Sequence, residues 1–366
     1  MKNERFTHWA FILLFVAFIG IFAVLFAVLP KAQLSELERR ALSDAPKLTA
    51  DTLFSGDYGK AAETYLSDHF PARSTWVGLH AGAEWLTGRN GQNGIYLGKD
   101  QRLYTAPIAV DHARSDRNRT AITDFAAKSG MNIRLLIVPS AGSLDESGLP
   151  AIHSPYRDQE ILSYMSEELN IIQPNLSVEH FYRTDHHWTT AGAYQAYLAC
   201  ADALGFEPLA ESAFDKETVE GFYGTSYAKA GLWHIKPDTM ELWHSQTPIT
   251  VTIADDAAPP KEYTSVFFRE ALSTMDMYTV FLDGNHGRVR LSNPQGKGKL
   301  LIVKDSFAQA LVPFLAEHYA QIDMIDLRHF RRTAVSDFAA QEGYTDALLV
   351  YGIESVAASN DLLWLQ

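Results

Sequence analysis

Two residues near position 185 have the side chains needed to activate a hydroxyl nucleophile. Asp185 and His187 stand two positions apart, just before a helical pattern at residues 190–204. In an extended loop, residues two apart point to the same side. A carboxylate beside an imidazole fixes the ring's tautomer and stabilises its cationic form, as a general base requires. A capping aspartate, a surface histidine pair and two ligands of a structural metal are alternative interpretations.

A second segment offers the nucleophile. Ser306 follows the apolar run at residues 299–303, and a helical pattern begins directly after it. The carboxyl edge of an α/β sheet is where sites collect, and free N–H groups at a helix start can stabilise an oxyanion there. The alternative is that Asp305 or Ser306 is an ordinary helix N-cap.

Together the two segments hold the three parts of a serine acyl-transfer device. They lie far apart in the chain, so the fold must bring the Ser306 hydroxyl within hydrogen-bond reach of the His187 imidazole. Triads are recognised by geometry and not by chain order. Ser140 and Ser226 are weaker candidates for the nucleophile, because both are typical turn residues in their local sequence.

The elements that must position these residues suggest an α/β layered domain. Continuous apolar runs are typical of strands in a sheet that is covered on both faces and mostly parallel. Helical patterns lie between the runs, for example at residues 308–319, and Gly98 and Asp100 mark the turn of a hairpin. The predicted strands lie at residues 131–138, 299–303, 322–327 and 347–351.

The N-terminal region predicts a membrane anchor. Residues 9–29 carry no charge, and at about 1.5 Å per residue they can span the roughly 30 Å hydrocarbon core. Lys2 and Arg5 precede the run, whereas Glu36 and Glu38 follow it. The positive-inside rule therefore places residues 1–8 in the cytoplasm and the chain after the run outside it. A cleaved signal peptide and a buried core helix are the alternatives.

Residues 30–90 are expected to form a helical stalk or linker, including a helix at residues 35–42, and residues 91–366 the extracytoplasmic domain. The composition excludes several classes of protein. With 31 Lys+Arg against 44 Asp+Glu, the net charge is −13, which argues against a nucleic-acid binder. A single cysteine excludes an internal disulfide framework, and 47% hydrophobic residues argue against wholesale disorder.

Three motifs carry a resemblance to a known family. They are Asp-His-His-Trp at residues 185–188, Lys-Asp-Ser-Phe at 304–307 and Gly-Asn-His-Gly at 284–287. The chain resembles the DHHW family of membrane-anchored bacterial proteins, which is similar to the alginate O-acetylation proteins with an SGNH-hydrolase-like fold. The likeness covers roughly residue 91 to the C-terminus. It implies an SGNH-like domain with a mostly parallel sheet.

The resemblance also implies roles for single residues. Ser306 corresponds to the nucleophile, His187 to the base and Asp185 to the acid that orients it, in the reverse of the chain order of ordinary SGNH hydrolases. Lys304 stands where those hydrolases carry the glycine of their Gly-Asp-Ser block, which puts the local oxyanion geometry in question. The further site neighbours are Asn285, as an oxyanion donor or simply a turn residue, together with His186, His286 and Trp188.

The expected function is extracytoplasmic serine-dependent acyl transfer, namely O-acetylation of a cell-surface polysaccharide. No cofactor and no metal are expected, and the resemblance implies a membrane-bound O-acyltransferase as the partner that hands over the acyl group. With water as the acceptor, the same triad would make a carbohydrate esterase. Two further interpretations stay open: a non-catalytic envelope scaffold, and a metal site in which His286 or His234 joins the residues near 185.

Overall fold

The computed structural model divides the chain into two compact units. It describes residues 2–35, 37–38, 40–255, 259–331 and 333–365. Unit 1 comprises the chain up to Thr87 together with Gly231–Trp233. Unit 2 comprises Gly88–Ala230 and His234–Gln366, and it contains every candidate site residue.

Unit 1 begins with a long apolar helix, α1 (Lys2–Val28). Residues 7–28 of α1 have a mean hydropathy of 3.1, and none of their most apolar window is buried. An isolated helix of this length and polarity is a candidate membrane span or a signal sequence. The direction in which α1 would cross a membrane stays a prediction from the flanking charges.

The rest of unit 1 is mostly helical, but the predicted helix at residues 35–42 is wrong. In its place two short strands pair in antiparallel fashion. The Asp68 carboxylate accepts hydrogen bonds from the Arg40 guanidinium and from Ser43 N–H, and this long-range contact outweighs local helix propensity. Glu36 and Arg39 lie outside the described residues. The elements are β1 (Leu34–Ser35), β2 (Arg40–Ala41), α2 (Ala50–Ser55), α3 (Asp57–Asp68) and α4 (Arg73–Leu86).

Unit 2 is built from strands and helices that alternate over much of its length. The strands are β3 (Ile95–Leu97), β4 (Leu103–Thr105), β5 (Asn132–Val138), β6 (Ile171–Ile172), β7 (Asp215–Phe222), β8 (Asp238–His244), β9 (Thr250–Ile253), β10 (Lys261–Tyr263), β11 (Arg288–Ser292), β12 (Lys299–Lys304), β13 (Gln321–Ile325) and β14 (Asp346–Gly352). The helices are α5 (His112–Ser129), α6 (Asp158–Ser166), α7 (Thr190–Leu204), α8 (Thr225–Ala230), α9 (Ala308–Leu315), α10 (Val335–Glu342) and α11 (Ile353–Ala358).

Eight of these strands form one sheet in the order β10-β9-β11-β13-β12-β14-β5-β6. The five strands from β13 to β6 run parallel, with Val303 of β12 opposite Ile325 of β13 and Leu349 of β14. β10, β9 and β11 pair in antiparallel fashion at the other side of the sheet. The predicted mixed α/β class with a large, mostly parallel sheet is confirmed.

Both faces of the sheet are covered, as the continuous apolar runs predict. Leu300 and Ile302 of β12 lie in one hydrophobic cluster with side chains of α7 and α9. Leu301 and Val303 lie in a second cluster with side chains of α5, α6, α10 and α11. Because both surfaces of β12 are buried, its end is held rigidly where the chain leaves the sheet for Ser306.

Three local predictions have clear outcomes. β3 and β4 form the predicted hairpin. Helix α7 is capped by the Thr189 hydroxyl, which accepts from Gly192 N–H, and it ends at Gly205 in the left-handed region. The helix predicted at residues 308–319 is shorter, because α9 ends at Leu315 and a tight turn follows, in which His318 N–H bonds the Leu315 carbonyl.

Candidate active site

The Asp-x-His segment is a closed loop. Phe181 and Trp188 form an isolated antiparallel bridge, so the residues between them turn back on themselves. Asp238, the first residue of β8, accepts hydrogen bonds from the Arg183 N–H at 2.9 Å and from the N–H and hydroxyl of Thr184 at 2.8 and 2.6 Å. The β7–β8 hairpin therefore fixes the loop immediately before Asp185.

Asp185 is buried and fully hydrogen-bonded. Its Oδ1 accepts from His187 Nδ1–H at 2.5 Å and from His187 N–H at 2.9 Å. Its Oδ2 accepts from the N–H and hydroxyl of Thr225 at 2.5 and 3.0 Å. Burial alone would raise the pKa of Asp185, but the two neighbouring imidazoles and these hydrogen bonds hold it well below its usual value. The carboxylate is therefore charged and fixed in direction.

The His187 ring reaches Ser306. With Nδ1–H directed at Asp185, Nε2 accepts the hydrogen bond of the Ser306 hydroxyl over 2.7 Å. The ring is held between the stacked Tyr278 ring, with 4.0 Å between centroids, and the His186 ring at 3.9 Å. The fold thus brings together the two segments that the sequence separates by more than a hundred residues.

Ser306 lies in the turn between β12 and α9. The preceding Asp305 accepts from Phe307 N–H at 3.0 Å through Oδ1, and from Gly352 N–H and the Ser355 hydroxyl, both at 2.8 Å, through Oδ2. Asp305 thereby ties the turn to the end of β14. Phe307 is the N-cap position and makes no side-chain cap bond, so Ser306 is not a capping residue. The Ser306 N–H has no acceptor among the described residues.

Lys304 is held by two neighbouring side chains. Its side chain is 0% exposed, and Nζ lies 3.3 Å from Asp326 Oδ2 and 2.8 Å from Asn285 Oδ1. Burial lowers the pKa of Lys304 to about 8, although Asp326 opposes the shift. Lys304 is thus part of a buried ion pair, and it is not among the residues that line the cavity at Ser306.

Asn285 is exposed, but its amide oxygen is anchored. Oδ1 accepts from Lys304 Nζ and, at 3.2 Å, from Gln309 Nε2 in the first turn of α9. With Oδ1 held by these two donors, the Nδ2 group is left to other acceptors. Asn285 is not among the residues that line the cavity at Ser306.

The other three predicted neighbours differ in their positions. His186 lines the cavity, and its Nδ1 lies 2.8 Å from Thr225 Oγ1. Burial and the adjacent His187 lower the pKa of His186 to about 3, so its imidazole is neutral. His286 is held instead by Asp255 and Asp283, and it does not line the cavity. Trp188 is 0% exposed, and its ring packs edge-to-face against Phe307, next to Ser306 in the chain. Its place as a site neighbour stays a prediction.

Ser306 opens into a cavity of about 170 Å³. Most of its wall follows the carboxyl ends of β5, β12, β13 and β14, which are neighbouring parallel strands and so end at one edge of the sheet. The lining residues are Leu103, Thr105, Val138, Pro139, Ser140, Ala141, Asp185, His186, Asp305, Ser306, Phe307, Arg328, Gly352, Ile353, Glu354 and Ser355.

The chain is similar to known proteins in both sequence and structure. A family model described as DHHW protein matches residues 163–325, a span that contains Asp185, His187 and Ser306. The resemblance to the DHHW family is confirmed. The probable alginate O-acetylase AlgJ of Pseudomonas syringae pv. tomato is 27% identical over 175 residues, which cover 42% of this chain and 44% of that protein.

The corresponding protein of Pseudomonas putida is 27% identical over 179 residues, covering 43% of this chain and 46% of that protein. The chain thus spans less than half the length of these relatives. A DHHW family protein from Eubacterium siraeum has a similar structure, with a TM-score of 0.65 and 24% identity, over 75% of this chain and 95% of that one. Bacillus cereus PatB1 gives a TM-score of 0.64 at 18% identity, over 74% and 98% of the two chains. Both structural likenesses show the fold alone.

The other two candidate serines and the metal site at residues 185–187 fit the geometry of the structure less well. Ser140 lines the same cavity, but its N–H and hydroxyl are directed at the Asp158 carboxylate. Ser226 is buried and does not line the cavity. Asp185, His186 and His187 place ligand atoms within 4.8 Å of one another. However, both oxygens of Asp185 already accept two hydrogen bonds each, which suits a base-orienting carboxylate better than a metal ligand.

Sequence reasoning missed the residues that support the DHHW loop. Thr225 holds Asp185, and Gly224 lets the two chain segments approach, since a Cβ there would lie 2.1 Å from the Asp185 Cβ. Asp238, Arg328 and Glu354 were also missed. The Gly-Thr-Ser sequence at 224–226 is the one available signal, and by itself it indicates a turn with Ser226 as a weak candidate for the nucleophile.

Proposed function

We propose that the protein is an SGNH-like serine acyltransferase that O-acetylates a cell-surface polysaccharide. The observation that carries the proposal is the hydrogen-bonded series Asp185–His187–Ser306, which ends at a cavity on the carboxyl edge of the sheet. The curated relatives named alginate O-acetylases support a polysaccharide as the acceptor.

In the first half of the reaction, the Ser306 hydroxyl attacks the carbonyl carbon of the acyl donor. His187 Nε2 takes the hydroxyl proton, and the charged Asp185 stabilises the imidazolium that forms. The Ser306 N–H is the proposed donor to the oxyanion. Asn285 does not line the cavity at Ser306, so its role as a second donor stays a prediction. The tetrahedral intermediate collapses to an acyl-Ser306 ester, and His187 returns the proton to the leaving group.

In the second half, a sugar hydroxyl attacks the acyl-Ser306 ester. His187 Nε2 takes the proton of this hydroxyl, the Ser306 oxygen leaves, and His187 then reprotonates it. The neutral His186 lines the cavity through which the acceptor must approach. With water as the acceptor, the same steps would hydrolyse the ester, so the carbohydrate esterase is the second outcome to be tested.

The proposed setting is the outer side of the cell membrane. Helix α1 would anchor the chain, with the residues after it extracytoplasmic. No free acyl thioester is available there, so we propose that a membrane-bound O-acyltransferase supplies the acyl group. The acceptor is a cell-surface glycan.

The decisive experiment is labelling of the full chain in detergent with a fluorophosphonate probe. Wild type is expected to be labelled, whereas Ser306→Ala is not. Ser140→Ala removes another serine hydroxyl of the same cavity and should remain labelled, because the Ser140 hydroxyl bonds Asp158 and makes no hydrogen bond to an imidazole of the described residues. Ser306 makes no cap bond, and loss of its hydrogen bond to His187 should cost about 1 kcal/mol of stability, so unfolding would not explain a loss of labelling.

A second measurement separates transferase from esterase. Cell-surface glycan acetylation is compared between cells with wild type and cells with Ser306→Ala. Lower acetylation in the variant supports the transferase, and higher acetylation supports the esterase. Equal labelling of wild type and Ser306→Ala together with unchanged acetylation would leave the non-catalytic scaffold as the better interpretation.

A further inference from the structure

One carboxyl group on the cavity has no protein partner among the described residues. Glu354 lies in the first turn of α11, two residues after β14 ends at Gly352. Its half-buried side chain lines the same cavity as Ser306. No hydrogen bond or ion pair joins this carboxyl to any residue that the structure describes. The other carboxylates on this cavity, Asp185 and Asp305, are each bound by several donors.

This arrangement is unfavourable for the free protein. A carboxyl that is partly withdrawn from water without a hydrogen-bond partner costs free energy. Burial raises the pKa of Glu354 to about 7; Lys229 opposes the shift, while Asp158 and Asp305 add to it. Such a group is expected where a ligand supplies the missing partner. A favourable interaction with the dipole of α11 is the alternative, although α11 has only six residues.

A second polar group of the cavity is only partly occupied. Arg328 Nε and Nη2 donate to the Asp326 carboxylate at 2.8 and 2.6 Å, while Nη1 makes no hydrogen bond to a described residue. The cavity therefore combines a fixed guanidinium, an unpartnered carboxyl and the nucleophile. Neighbouring hydroxyl groups of a sugar ring suit such a set, because each can donate to a carboxyl oxygen or accept from an N–H.

We propose that Glu354 binds a hydroxyl of the acceptor sugar next to the one that is acylated, and so favours sugar over water as the acceptor. This inference rests on the proposed acyl transfer. Glu354 takes no part in the bond changes: the attacking sugar oxygen forms the new ester, its proton passes to His187, and Ser306 leaves as before. Glu354 accepts a hydrogen bond from the neighbouring hydroxyl and orients the ring.

The test uses the full chain in detergent with 4-nitrophenyl acetate as the donor. Release of 4-nitrophenolate measures acylation of Ser306. Mass spectrometry of the products measures acetyl transfer to methyl α-glucopyranoside, which has neighbouring hydroxyls, and to ethanol, which has one. Because a hydrogen bond to a charged group is worth roughly a tenfold factor or more, Glu354→Ala should reduce transfer to the glycoside about tenfold relative to hydrolysis.

The same variant should leave 4-nitrophenolate release and transfer to ethanol within about twofold of wild type, and Glu354→Asp should restore part of the transfer to the glycoside. Asp337→Asn is the matched control, because Asp337 is an exposed acid in the first turn of α10 and does not line the cavity. A mainly structural role would instead reduce release and both transfers together.

Three outcomes would overturn the inference. If Glu354→Ala keeps the wild-type ratio of glycoside transfer to hydrolysis, Glu354 does not bind the acceptor. If the variant loses 4-nitrophenolate release as Ser306→Ala does, Glu354 supports the triad or the fold. If wild type itself shows no release that depends on Ser306, the proposed acyl transfer fails, and the acceptor role of Glu354 fails with it.

Discussion

Two sides of the cavity at Ser306 differ in how their polar side chains are hydrogen-bonded. In the loop that carries Asp185 and His187, both carboxylate oxygens and both ring nitrogens of the pair have protein partners. At the start of α11, the Glu354 carboxyl has none among the described residues. A catalytic group must be in position before substrate arrives, whereas a substrate-binding group gains its partner only on binding. The difference separates groups that are held for chemistry from groups that are left open for a ligand.

The loop that carries Asp185 and His187 is supported by residues outside the large sheet. Thr225 follows β7 and Asp238 opens β8, so the connected end of this hairpin holds the loop around Asp185. Ser306 is instead positioned by β12 and by the Asp305 bonds to the end of β14. Base and nucleophile are therefore fixed by two separate structures, which are joined by the His187–Ser306 hydrogen bond and by ring contacts with Phe307.

The largest effect in this comparison is expected from Asp185→Asn. The amide would keep the shape of the side chain but lose the charge that stabilises the His187 imidazolium, and it would favour the wrong tautomer. Turnover of 4-nitrophenyl acetate should fall by about 10⁴-fold, as for the corresponding change in other triads. Circular dichroism should show an unchanged fold. Activity near the wild-type level would show that the hydrogen-bonded Asp185–His187 pair does not serve catalysis.

A smaller effect is expected from Thr225→Val. The substitution removes the hydroxyl that donates to Asp185 Oδ2 and contacts His186 Nδ1, while the Thr225 N–H bond to Asp185 remains. Loss of one hydrogen bond to a carboxylate should reduce the rate of Ser306 acylation by roughly tenfold. Thr225→Ser keeps the hydroxyl and should restore most of the rate. Equal losses in both variants would point to the packing of the methyl group.

The sequence predicted the parts of the site that local pattern encodes. The apolar runs that became β5, β12, β13 and β14 indicate a doubly covered sheet without any knowledge of tertiary contacts. The positions of Asp185, His187 and Ser306 beside helix starts mark them as candidates. No sequence pattern could show that the His187 ring and the Ser306 hydroxyl meet, because that contact depends on the packing of α7 and α9 over the sheet.

Residues that act through tertiary contacts were beyond such reasoning. Thr225, Asp238 and Glu354 have no fixed spacing from the triad. Thr225 and Asp238 reach the loop from the β7–β8 hairpin, and Glu354 reaches the cavity because β14 lies beside β12 in the sheet. The failed helix at residues 35–42 has the same cause, since Asp68 draws Arg40 and Ser43 into a different local structure. In the same way, Trp188 is buried in a hydrophobic cluster that includes Phe307, which is distant in sequence.

The smallest effect is expected at Glu354, and it appears in the stability of the protein rather than in the rate of the reaction. The pKa of Glu354 is raised to about 7 in the folded chain, above its value when unfolded. Between these two values the folded state binds more protons than the unfolded state, so the free energy of unfolding decreases as the pH rises. Glu354→Gln removes this titration while keeping the shape of the side chain.

Thermal unfolding of wild type and Glu354→Gln in detergent should therefore give similar midpoints at about pH 4, where Glu354 is mostly protonated in both states. At about pH 8 the variant should unfold at the higher temperature, because only wild type then buries a charge. If the unfolding temperatures differ by the same amount at both pH values, Glu354 has a partner in solution and is hydrogen-bonded like Asp185. If the difference in unfolding temperature grows with pH and disappears when an acceptor sugar is added, the buried Glu354 charge destabilises the protein only while no sugar is bound.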